Sequence, residues 1–64
     1  MDNEMRQSVI ERAVATWIDR VAELRPDMTI VQWCNESLDT AGLPRLRAEE
    51  RAVIVRESLV TAPR

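Results

Sequence analysis

The chain has 64 residues, 45% hydrophobic and 31% charged, with a formal net charge of −2. That length allows one domain with a marginal core, because short chains bury a small share of their surface. It has no His, no Tyr and a single cysteine, Cys34, which excludes an internal disulfide, the usual zinc ligand sets and the commonest general base near neutral pH.

Between Asp2 and Leu24 the apolar positions Ile10, Val14, Trp17, Val21 and Leu24 alternate steps of four and three, the signature of one helical face. Asp2 is a candidate N-cap, with Glu4 in the first turn and Arg20 and Arg25 near the other end, as the helix dipole favours. Pro26 disfavours helical geometry at Arg25, so the helix is expected to stop at about Leu24.

A second helix, expected over 30–41, is announced by Thr29 and Gln32, which form a T-x-x-Q capping box. Met28 and Trp33 stand at the two positions of a hydrophobic staple. Ile30, Trp33, Cys34, Leu38 and Ala41 share a face. Gly42 supplies the left-handed stop, Leu43 is placed to touch Leu38, and Pro44 follows where continuation is unwanted.

The third helix is expected over 45–61, with no Ser, Thr, Asp or Asn at a cap position. Ala48, Ala52, Val55 and Leu59 make one clean face. Leu46, Val53 and Val60 make a second apolar line, and Ile54 sits away from both. A helix apolar on so many sides exceeds what a lone three-helix monomer covers. Without strand-like alternation, repeats or a linker, the expected fold is all-α, a three-helix domain over 1–64 with one long N-terminal amphipathic helix packed on a helical hairpin. The first helix is expected to span roughly 33 Å against about 17 Å for the second. Met5 and Val9 should therefore project beyond the core.

Several function classes are demoted by what is missing. Cys34 has no His partner and falls on the buried face, so it reads as a core residue rather than a nucleophile. The carboxylates lie on polar faces, the phosphate-cradling glycine motifs are absent, and Trp17 and Trp33 read as core aromatics. No enzyme activity, cofactor, metal or small-molecule substrate is expected. Apolar runs such as Ala52 to Val55 are far too short to cross a bilayer, so no membrane segment is expected either. The lone cysteine, and a start without a basic patch and apolar run, point to a reducing, cytoplasmic location.

All nine basic residues are arginine, a bias that fits a GC-rich bacterial or phage genome. Up to Ala41 four arginines stand against eight acids, and from Gly42 five stand against three, a change of sign that can orient a partner. Disulfides, metals and oligomerisation are the devices that stabilise small scaffolds, and only the last remains here. The leading expectation is a non-enzymatic protein-interaction module, a homodimeric regulator, inhibitor or adaptor of a larger protein. Its expected interface residues are Met5, Val9, Leu46, Val53, Ile54 and Val60, with Val31 also uncovered. The alternative lays Ile30 to Ile54 over a helix-turn-helix unit reading DNA through Arg45, Arg47, Arg51 and Arg56. Glu49 and Glu50, interleaved with those arginines, oppose it.

Overall fold

A computed structural model describes the backbone of residues 2–61 and the side chains of residues 3–59. Three helices account for the fold, and no strand occurs among the described residues. The first, α1, is continuous and has three parts: α-helical Asp2–Thr16, a π-helical turn Trp17–Val21 and a closing α-turn Ala22–Leu24. The second, α2, spans Ile30–Thr40, and the third, α3, spans Ala48–Thr61. The small all-α domain expected from periodicity is the one observed, with α2 packed against both α1 and α3.

α1 ends where Pro26 requires, and Arg25 takes up φ −129°, ψ 70°, outside the helical region. The π turn has no counterpart in the apolar pattern. Ala22 N–H bonds to the Trp17 carbonyl five residues back, and the extra residue in that turn sets everything beyond it back by roughly a quarter turn. Val21 stays buried, but Leu24 is swung out to 71% exposure, so it leaves the face expected for it. The Asp2 cap lies outside the described side chains.

α2 has the two ends its sequence specifies. Thr29 Oγ1 accepts from Gln32 N–H at 3.1 Å, and Thr29 N–H donates to Gln32 Oε1 at 2.8 Å, completing the capping box. At the other end Leu43 N–H reaches Leu38 O at 2.9 Å and Gly42 N–H reaches Asp39 O at 3.1 Å. Gly42 has φ +73°. That is the Schellman stop, and α2 ends one residue before the expected Ala41. Ile30, Cys34 and Leu38 point inward, Trp33 is half-buried and Ala41 is exposed.

α3 starts at Ala48, three residues later than expected. Its cap comes from inside the helix. Arg51 N–H makes the first helical bond to Arg47 O, and Glu50 Oε1 reaches back to Arg47 N–H at 2.8 Å, the half of a capping box that needs no Ser or Thr. Just before it, Asn35 Oδ1 on α2 accepts from Leu46 N–H at 2.9 Å. This pins the connection 41–47 along the hairpin.

The core joins Ile10 and Ala13 of α1 with Ile30, Cys34 and Leu38 of α2, Leu46 of the connection and Ile54 of α3. Leu38 and Cys34 are fully buried. Trp17 donates to Met28 O at 3.4 Å, while the buried indole N–H of Trp33 has no hydrogen-bond partner among the described residues.

Candidate interaction surface

The first turns of α1 do not overhang an empty end of the hairpin, because Arg6 lies in line with Ile10 and Ala13 on the inward face. Its guanidinium spans the end of the bundle. Nη1 and Nη2 meet the two carboxylate oxygens of Glu50 as a fork, the second at 2.7 Å, while Nε donates to Pro44 O at 3.1 Å and Nη2 to Arg45 O at 2.7 Å. The side chains are 11% and 27% exposed. Planar, bidentate arginine is the residue type suited to such a site. The Arg6 hydrogen bonds, with help from Arg47 N–H, hold the Glu50 carboxyl down to about 2.

The clamp and the burial of Ile54 agree on one rotation of α3. With Glu50 drawn toward α1, the residues one and two turns further on, Ile54 and Ser58, also face inward, at 5% and 8% exposure. Leu46 and Ile54, expected at an interface, are therefore core residues, the former at 5% exposure. The clean apolar line faces out instead: Ala48 and Ala52 are exposed, Val55 is 41% exposed and Leu59 is 71% exposed. Met5 is open at 60% and Val53 at 50%. Val9 packs against the core, as does half-buried Val31. Val60 lies outside the described side chains.

Beyond the clamp α1 and α3 separate, leaving an open groove of about 550 Å³ between them. Its floor is apolar, formed by Ile10, Val14, Ala15 and Ile18 of α1 and by Val53 and Ile54 of α3. Its rim carries Gln7 and four carboxylates, Glu11, Glu49, Glu50 and Glu57, without one basic residue. Glu50 is neutralised by Arg6, and Glu57 has an interaction of its own. Glu11 and Glu49 have no cation within ion-pair distance among the described residues.

The arginines set aside for nucleic acid do not form one patch. Arg45 is bound to Asp39, Nη2 to Oδ2 at 2.8 Å, and its hydrogen bonds lower the Asp39 pKa. Arg47, Arg51 and Arg56 are exposed, but the five-residue step from Arg51 to Arg56 turns them more than a third of a turn apart. The seven-residue connection 41–47 is also longer than the turn of about 3–4 residues in a helix-turn-helix unit. Cys34 sits at zero exposure, and burial pushes its thiol up to about 11. Among the described residues no cluster of three or more His, Cys, Asp or Glu is placed to hold a metal ion, and no helix is long and apolar enough to cross a membrane.

The clamp and the groove were not read from the sequence. Arg6 had a signal, since it stands four residues before Ile10 on the apolar stripe, where a charged residue requires a partner. Comparison with protein families, with curated proteins and with solved structures gives no match for this chain.

Proposed function

We propose that the chain is a non-enzymatic protein-interaction module that holds a basic, apolar-faced helix of a larger protein in the groove between α1 and α3, acting on that protein as a small regulator, inhibitor or adaptor. The carrying observation is the groove itself, an apolar floor under a rim whose charged residues are all carboxylates, with Glu11 and Glu49 outside any ion pair among the described residues. Its volume falls within the range of roughly 300–1,000 Å³ typical of ligand pockets. A helix suits it better than an extended peptide. Both walls are helices with no free strand edge, so an extended segment would lay unpaired backbone groups over apolar side chains, whereas a helix satisfies its own. Lysines or arginines beside the apolar stripe of such a partner would meet Glu11, setting orientation and association rate.

The test uses two synthetic three-turn helices, one of Leu, Ala and Lys and one of Leu, Ala and Glu, titrated against the intact protein. The basic peptide should bind and the acidic one should not. Val53→Asp, at an open position of the groove, should weaken binding at least tenfold, about 1.4 kcal/mol. Equal binding of both peptides, or indifference to Val53→Asp, would sink the proposal. Duplex DNA bound at low salt and released by Arg51→Ala would replace it with the nucleic-acid reading.

A further inference from the structure

The groove leaves a second apolar surface unexplained, on the opposite side of α3. Ala48, Ala52, Val55 and Leu59 form one outward stripe, all four exposed. We infer that this stripe pairs with the same stripe of a second copy of the chain, the two α3 helices running antiparallel about a two-fold axis between Val53 and Ile54.

The order of residue sizes carries the argument. The stripe begins with two alanines and ends with Val55 and Leu59. Reversal about that axis sets Leu59 opposite Ala48 of the second copy and Val55 opposite Ala52, so every large side chain meets a small one, both ways round. Interdigitation of this kind is what close packing of helix faces demands. A parallel pairing would instead set Leu59 on Leu59 and Ala48 on Ala48, so the helices would be held wide apart at one end and leave a gap between the alanines at the other.

Charge gives an independent match. Glu49 and Arg56 lie on one edge of the stripe, both exposed, and neither has an ion-pair partner among the described residues. They are seven residues apart, too far along the helix to meet each other. The same two-fold brings Glu49 within about 3 Å, along the helix axis, of the level of Arg56 of the second copy, an offset their long side chains span, and repeats the pair at the other end. The acidic groove cannot pair with itself in this way, since its rims would set carboxylate against carboxylate. The contact closes as an isologous dimer that takes Glu49 from one rim of the groove and leaves its apolar floor and Glu11 open for a different partner. Spread over one helix of about 21 Å, it belongs to the small, reversible class of interfaces.

Sedimentation equilibrium of the protein alone, with no peptide in the groove, tests the pairing across a concentration series. The mass should rise from one protomer and level at two. Glu49→Arg alone and Arg56→Glu alone should each lose the dimer, while an equal mixture of the two variants should regain it, because every pair across the axis is then Arg against Glu. Leu59→Asp, at an exposed position, should stay helical by circular dichroism and monomeric. Val53→Asp, on the groove side, should leave the dimer intact. A monomer at every concentration, failure of the mixture to re-form the dimer, a mass climbing past two, or dissociation by Val53→Asp but not by Leu59→Asp would each overturn the inference.

Discussion

α2 and α3 are helices of 11 and 14 residues in the same small bundle, yet they are held in different ways. α2 is closed at both ends by residues of its own neighbourhood, Thr29 with Gln32 and Gly42 with Leu43, and it buries Ile30, Cys34 and Leu38 in one row. α3 buries Ile54 and Ser58, and on the same side its Glu50 carboxylate is gripped by an arginine 44 residues away. Local chemistry makes α2 a fixed frame. Distant chemistry makes α3 a helix with one thin face toward the core and two wider faces toward solvent, which is the arrangement a binding element needs.

The sharpest way to break this contrast is to truncate one apolar side chain on each helix. Leu38→Ala removes a fully buried side chain and should cost about 3 kcal/mol, enough to unfold much of so small a domain. Leu59→Ala, on the outward stripe, should change monomer stability by no more than about 0.5 kcal/mol. Urea denaturation of the two variants at low protein concentration measures both, and equal losses would erase the distinction.

The second effect in size concerns the clamp. Arg6→Ala leaves Glu50 short of its partner and should cost roughly 2 kcal/mol, with Arg6→Lys restoring only part because ammonium cannot make the fork. The pH dependence follows from the same pair. The folded Glu50 carboxyl titrates at about 2 against an ordinary 4.5. Its contribution is therefore complete above about 4.5 and is lost as the pH falls from there toward 2. Glu50→Gln should lower stability at neutral pH and flatten that acid limb, and an unchanged acid limb would show the clamp to be energetically silent.

Below the clamp, and above the near-silent Leu59→Ala, come the caps of α2. Thr29→Ala should cost about 1 kcal/mol by releasing the Gln32 N–H. Gly42→Ala should cost a similar amount, from the positive φ alone, since nothing lies within 4 Å of a Cβ built there. Thermal melts that rank either cap above the clamp would reverse the order proposed here.

What could be read in advance follows the same division. The Thr29 box, the Pro26 stop and the Gly42 Schellman motif are decided within a few residues, so their letters carry them. The inward face of α3 is not decided locally. Ala48, Ala52, Val55 and Leu59 have the better helical period, but the side that turns inward carries Glu50, Ile54 and Ser58, and the meeting of Glu50 with Arg6 is one no periodicity can show. Leu24 was misplaced for a related reason, because the π turn at Trp17–Val21 alters the period on which the expectation rested. The groove is equally non-local, being the space between α1 and α3, helices distant in sequence.

The Arg6–Glu50 contact also has a kinetic meaning. It closes a loop of 44 residues, and the entropy of closing a loop that long must be met before the contact returns anything. Caps and hairpin contacts close far shorter loops, so α2 and its turn should assemble first and the two ends of the chain should be fastened last. A contact absent from the folding transition state governs the rate of unfolding rather than of folding. Arg6 then serves as a latch on an already folded hairpin, and the time for which α3 holds its two faces in place is set by how long that latch stays shut.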